Sequence, residues 1–114
     1  MMSAAPPFPL TLEQAARLQE YVQTYRRYAL TALMPSTVRN NTIRILQMVQ
    51  GKIIEVVDTK VAVSQIVFTR EEISTLRTVI GELLLIYVQL PESSGRNTAL
   101  TDLAMLKNGL KMYL

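Results

Sequence analysis

The chain has 114 residues, which is the size of one ordinary domain, and a formal net charge of +3. Apolar residues make up 49% of it and charged residues 18%, a composition too apolar for an intrinsically disordered chain. It contains no Cys, His or Trp, which excludes disulfides, catalysis by thiols or histidine, and metal sites built on either residue.

The first nine residues carry three prolines but neither a basic segment nor a long apolar stretch. We therefore expect a flexible lead-in over residues 1–9, not a secretory signal. The most apolar segment, residues 83–90, is much shorter than the ~20 residues of a membrane-spanning helix. The sequence predicts a cytoplasmic protein without a membrane span.

The first helical hairpin is predicted over residues 10–57. Thr11 and Gln14 fit a capping box, in which each side chain satisfies a free backbone N–H at the start of a helix. Apolar residues then recur every three or four positions, the spacing of one helix face: Ala15, Leu18, Val22, Tyr25, Ala29 and Ala32. Pro35 ends this helix and Ser36 can cap a second one.

Residues 58–67 connect this hairpin to the next, and the conformation of residues 58–68 has two interpretations. The segment is rich in β-branched residues, which favours a strand. Val63 and Val67 also continue the helical spacing of the preceding helix. A short apolar segment cannot be assigned by its period alone, so the connector is either extended or helical.

The second hairpin is predicted over residues 68–114. Thr69 and Glu72 fit a second capping box, and the helix that follows is apolar around more than half of its circumference near its end. Pro91 ends it. Residues 92–97 have the composition of a loop, and a last helix is predicted from about Thr98.

The two hairpins resemble each other. Residues 10–18 align with residues 68–76, with identical Thr, Glu and Leu at three positions. Around the second helices, Ser, Arg and Asn recur in the same order in the two halves: Ser36, Arg39 and Asn40 match Ser93, Arg96 and Asn97. An internal duplication explains this pattern. The alternative is that any two helical hairpins share caps, prolines and apolar spacing.

Both explanations predict the same architecture. A single helical hairpin cannot bury its apolar face alone, but two hairpins can bury theirs against each other. We therefore predict an all-α protein, a four-helix bundle built from two helical hairpins, as a single domain over residues 10–114.

No catalytic, cofactor or metal site is predicted. The sequence lacks a glycine-rich phosphate loop and the metalloprotease and serine-hydrolase motifs. Its serines have no histidine to activate them. Its glutamates are scattered, and Glu13, Glu71 and Glu72 lie in first helical turns, where they oppose the helix dipole. We expect no enzymatic activity and no cofactor.

Charge is unevenly distributed. Residues 21–54 contain five basic residues and no acidic one, so this segment carries +5 and the rest of the chain −2. Arg26, Arg27, Arg39 and Arg44 define a hypothetical basic pole, which could bind phosphates or acidic proteins. The alternative is an ordinary solvated surface. Three tyrosines nearby, Tyr21, Tyr25 and Tyr28, have the spacing of core residues.

The apolar surplus indicates an interface. Four helices of this size have a limited interior, and large exposed apolar patches usually mark interaction sites. The candidate interface residues are Leu85, Ile86, Val88, Val61 and Val63. The alternative is a third helix that is buried on all sides.

The leading functional hypothesis is a non-enzymatic protein–protein interaction or self-association module, most simply a homodimer. The second hypothesis is a small nucleic-acid-binding or regulatory protein that uses the basic pole. A third is a metal-free pocket for a small ligand between the helices, lined by Tyr25, Tyr87 and methionines.

Overall fold

A computed structural model of the protein describes residues 8–59 and 63–111. Six elements follow one another along this part of the chain: strand β1 (Phe8–Thr11), helix α1 (Leu12–Ala32), helix α2 (Thr37–Thr59), strand β2 (Val63–Ile66), helix α3 (Arg70–Val88) and helix α4 (Ser94–Lys111). Helix α1 packs chiefly on α2 and helix α3 chiefly on α4. The predicted four-helix bundle of two hairpins is confirmed.

The strand interpretation of the connector is the correct one for its second half. Helix α2 ends at Thr59, and β2 occupies Val63–Ile66. Residues 60–62, including Val61, lie outside the described residues, as do residues 1–7 of the predicted lead-in. The last two residues of that lead-in, Phe8 and Pro9, belong to β1.

The two strands form a small antiparallel sheet, in which Phe8 lies opposite Ile66. These two residues are 58 positions apart (66 − 8), the same offset that aligns Leu10 with Phe68 (68 − 10). If a twofold axis passes through an antiparallel ladder, the two residues that face each other at the axis must be equivalent positions of the two halves. The register at Phe8 and Ile66 meets this requirement, which supports the duplication hypothesis.

Both predicted capping boxes are present. The Thr11 side chain accepts a hydrogen bond from the backbone N–H of Gln14 (3.0 Å), and the Gln14 side chain accepts one from Thr11 (2.9 Å). Thr69 and Glu72 make the same two bonds at 3.1 and 2.7 Å. Each box lies directly after a strand, so it sets where the first helix of its hairpin begins.

The start of the last helix was predicted too late. Helix α4 begins at Ser94, so residues 94–97 are helical and not part of a loop. The Ser93 hydroxyl accepts a hydrogen bond from the Arg96 N–H at 3.1 Å, as the Ser36 hydroxyl does from Arg39 at 3.0 Å. Ser, Gly and Asn resemble a loop in composition, yet here they form a capped first turn.

The repeated arginines join consecutive helices. The Arg39 guanidinium donates to the Leu33 carbonyl (3.3 Å), just beyond the end of α1. Arg96 donates to the carbonyls of Tyr87 and Val88 (both 3.1 Å), at the end of α3. The last carbonyls of a helix have no partner within the helix, and each arginine donates to carbonyls at such an end. The Tyr87 carbonyl also accepts from the Leu90 N–H, so Arg96 adds a second donor there.

One continuous core lies between the helices. Its largest fully buried apolar side chains come from β1, all four helices and the β2–α3 junction: Leu10, Leu18, Leu46, Ile53, Phe68, Ile73, Leu76, Ile80, Leu83, Leu103 and Leu110. Tyr25 is buried in this core, and Tyr21 and Tyr28 pack against it, as their spacing predicted.

A buried carboxylate links the two hairpins. Glu72 is 1% exposed, and its carboxylate accepts a hydrogen bond from the Lys52 ammonium at 2.5 Å. The same ammonium donates to the Val67 carbonyl (3.0 Å) and lies 5.9 Å from the centre of the Phe68 ring. Lys52 therefore holds α2 against the junction between β2 and α3.

We expect Lys52→Met to lower the free energy of unfolding by about 2–3 kcal/mol, because it leaves a charged, buried Glu72 without its cation. Arg44→Met is the matched control, since the Arg44–Glu71 pair is exposed and 3.7 Å long and should contribute less than about 1 kcal/mol. Urea denaturation measures both. Equal losses in the two variants would contradict this role for Lys52.

Candidate binding cavity

A cavity of about 360 Å³ opens between α1, α2 and the middle of α3. Its lining combines apolar side chains, hydroxyls and two opposite charges: Tyr25, Ala29, Leu33, Met34, Ser36, Val38, Arg39, Thr42, Ser74, Thr75, Thr78 and Glu82. The cavity is thus an amphipathic space beside the turn of the first hairpin.

Short side chains on α3 leave this space unfilled. Thr75 lines the cavity and aligns with Arg17 in the first half of the chain, 58 positions earlier (75 − 17). Arg17 donates to the Asp102 carboxylate at 2.9 Å, and the Tyr21 hydroxyl donates to the same carboxylate at 2.9 Å. A long arginine therefore connects α1 to α4, whereas the equivalent threonine reaches no such partner across the cavity.

The polar end of the cavity is formed by Tyr25 and Glu82. The Tyr25 hydroxyl donates to Glu82 Oε2 at 2.5 Å, which joins α1 to α3. Burial raises the pKa of Tyr25 above its ordinary value, and the hydrogen bond to Glu82 and the charge of that carboxylate raise it further. Among the described residues, none donates a hydrogen bond to the other oxygen of Glu82.

The cavity has an apolar rim at the turn between α1 and α2. Met34 is 84% exposed and Val38 is 77% exposed, the two highest values among the large apolar side chains of the described residues. Leu30, one turn earlier on α1, is also exposed. We call Leu30, Met34 and Val38 the hairpin tip. It places apolar side chains in solvent directly beside an open cavity.

Three of the four arginines proposed as a basic pole have acceptors inside the protein. Arg26 donates to the buried Gln50 side chain, and Arg39 to the Leu33 carbonyl. Arg44 donates to Asn41 (2.8 Å) and lies 3.7 Å from Glu71. Arg27 is exposed, and its guanidinium makes no hydrogen bond or ion pair with a described residue. The four arginines lie on α1 and α2, and their side chains have different partners.

The predicted interface residues on α3 differ in exposure. Leu85 is 64% exposed and Val88 is 52% exposed, while Ile86 is partly buried. The third helix is therefore not buried on all sides. Val63 pairs with Thr11 in the sheet. Val61 lies outside the described residues.

The third functional hypothesis named part of the cavity correctly. Tyr25 and Met34 line it, but Tyr87 does not. Sequence reasoning did not select Ser74, Thr78 or Glu82, which form its α3 wall together with Thr75. Their spacing of four residues places these polar groups on one face of an otherwise apolar helix. This spacing is the sequence pattern that could have indicated a polar wall on the third helix.

Within residues 8–59 and 63–111, no group of three or more acidic side chains comes close enough to hold a metal ion. In the same part of the chain, no helix has the length and apolar character needed to cross a membrane. No known protein family, curated protein or solved structure matches the chain.

The raised pKa of Tyr25 predicts loss of stability in alkali. Its pKa in the folded protein lies above the ordinary value of 10.0. Above pH 10 the folded chain therefore keeps a proton that the unfolded chain releases. The stabilisation is complete below pH 10 and is lost as pH rises further. We expect the free energy of unfolding to fall between pH 10 and pH 12 by at most about 1.4 kcal/mol per pH unit for this proton.

The variant Tyr25→Phe should show a smaller loss over the same range, because it has no hydroxyl to titrate. Urea denaturation at pH 9, 10, 11 and 12 measures both proteins. Identical pH profiles of wild type and variant would show that the Tyr25–Glu82 bond does not contribute in this way.

Proposed function

We propose that this protein is a non-enzymatic self-association module that forms a homodimer through the hairpin tip. The observation that carries the proposal is the exposure of Met34 and Val38 beside an open cavity. A solvated turn between two helices does not require large apolar side chains. Where several of them are exposed close together, they usually mark a contact surface.

A second copy of the chain is the occupant that this surface fits best. Met34 both protrudes from the tip and lines the cavity, so a projection and a recess lie side by side on one surface. In a twofold dimer the same patch meets itself, and the projection of one copy can enter the recess of the other. Methionine suits this role because its unbranched side chain adapts to irregular spaces.

The cavity is large enough for this contact. A cavity of about 150 Å³ already admits a benzene molecule. The volume here is about 360 Å³, and its walls at the tip are apolar, formed by Ala29, Leu33 and Val38. Insertion of a methionine from a second copy would bury these side chains together, which the hydrophobic effect favours.

The lining of the cavity also supports a non-enzymatic function. Ser36 and Ser74 are its serines, and the chain has no histidine that could act as their base. The nucleic-acid hypothesis gains no support from three of the four arginines of the basic pole, because Arg26, Arg39 and Arg44 already donate to groups in the protein. The cytoplasmic location stays a prediction.

Sedimentation velocity across micromolar concentrations tests the proposal. We expect a monomer–dimer equilibrium for the wild type, and an apparent dimer dissociation constant at least tenfold weaker for Met34→Glu and Val38→Glu. Each change would bring a charge into an apolar contact. Both side chains are exposed in the monomer, so the thermal unfolding midpoint should stay nearly unchanged.

Two control variants separate the surfaces. Met105→Glu changes an exposed methionine on α4 (59% exposed) and should leave the dimer intact. Leu85→Glu tests the α3 surface predicted from the sequence and should also leave it intact. A strictly monomeric wild type would refute the proposal, as would a dimer that Leu85→Glu disrupts and Met34→Glu does not.

A further inference from the structure

We propose that the cavity is also a binding site for a small amphipathic primary amine, with the ammonium at Glu82 and the apolar body against the hairpin tip. This inference depends on the lining of the cavity and not on self-association. A monomeric protein would present the same site.

The polar end of the cavity offers a carboxylate acceptor, and two of its hydroxyl donors are already used. The Tyr25 hydroxyl hydrogen is used in the bond to Glu82, and the Thr78 hydroxyl donates to the Ser74 carbonyl of its own helix (3.2 Å). A carboxylate cannot donate, and one oxygen of Glu82 accepts nothing from a described residue. A ligand group that donates several hydrogen bonds and carries positive charge complements this end.

An ammonium group meets these requirements. It is a compact cation with three donors, which can reach the unused carboxylate oxygen and the lone pairs of nearby hydroxyls such as Thr75 and Thr78. Hydrogen bonds between two charged groups are about twice as strong as neutral ones. Tyr25 holds the carboxylate in position, so its orientation is set before a ligand arrives.

The positive side chain in the lining, Arg39, lies at the opposite end. Tyr25 and Leu33 are eight residues apart on α1 and its C-cap, which corresponds to about 12 Å along the helix axis. Arg39 donates to the Leu33 carbonyl, so its guanidinium is held near the turn and away from Glu82. The two charges thus give the cavity a direction, with its negative end at Glu82.

Apolar side chains fill the distance between these ends. Ala29 lies one turn beyond Tyr25 on α1, and Leu33, Met34 and Val38 follow towards the mouth. A ligand with its ammonium at Glu82 would therefore place an aliphatic or aromatic body along this wall. Such a mixture of apolar walls and a few convergent polar groups is typical of small-molecule sites.

Titration with n-hexylammonium, followed by calorimetry and by amide chemical shifts, tests the inference. We expect saturable binding that perturbs amides of α1, α2 and α3 around the cavity. Hexanoate has the same apolar body and the opposite charge, so it should bind at least tenfold more weakly. Hexanol, which lacks charge, should fall between them.

The variant Glu82→Gln isolates the charge. Glutamine keeps an oxygen that can accept from Tyr25, so the fold should be retained, which circular dichroism and thermal unfolding verify. We expect it to weaken n-hexylammonium binding at least tenfold and to leave hexanol binding within twofold. The matched control Glu92→Gln alters an exposed glutamate in the α3–α4 connection and should change neither ligand.

Three results would overturn the inference: no saturation by n-hexylammonium at millimolar concentration, equal affinity for hexanoate, or unchanged amine binding by Glu82→Gln. The two proposals can fail separately. Loss of the dimer in Met34→Glu is measured without any amine, and amine binding is measured at a concentration at which sedimentation shows the wild type to be monomeric, so that no methionine of a second copy occupies the cavity.

Discussion

The pairing of β1 with β2 is the constraint on which the rest of the structure depends. Each strand leads within a few residues into a capping box, so the ladder places the N-termini of α1 and α3 relative to each other. The register, with Phe8 opposite Ile66, is the one that an approximate twofold relation between the two hairpins requires. Each hairpin then presents its apolar face to the other, and neither face could be buried alone.

Polar contacts complete this arrangement at points that the apolar core does not reach. Lys52 reaches Glu72 between the hairpins, and Arg39 and Arg96 close the ends of the helices that precede them. The three long cationic side chains thus donate to acceptors within the protein. Several of the few charged residues of this chain therefore contribute to its internal structure. Buried polar groups that find partners in this way also select one arrangement of the helices.

The cavity lies at a point where the two halves of the chain differ in sequence. An arginine in the first half and a threonine in the second occupy equivalent positions, and only the arginine, Arg17, spans the gap to a carboxylate. On the threonine side the helices enclose a space with a carboxylate at one end and an exposed methionine at the other. Both proposals for function use this cavity, one its apolar rim and the other its polar end.

The sequence alone determined most of the local structure: both capping boxes, the helix-ending prolines, the number of helices and the core stripe of α1 from Ala15 to Ala29, because caps and apolar spacing act within one or two turns. Ala32, at the end of the predicted stripe, is exposed. The sequence placed the start of α4 wrongly, because Ser93 and its neighbours suit a loop and a capped turn equally well. Only the tertiary structure decided that residues 63–66 form a strand, since a strand needs a partner that is distant in sequence. It alone brought Glu82 to Tyr25 and left Met34 and Leu85 in solvent, because which apolar residues remain exposed depends on how the four helices pack.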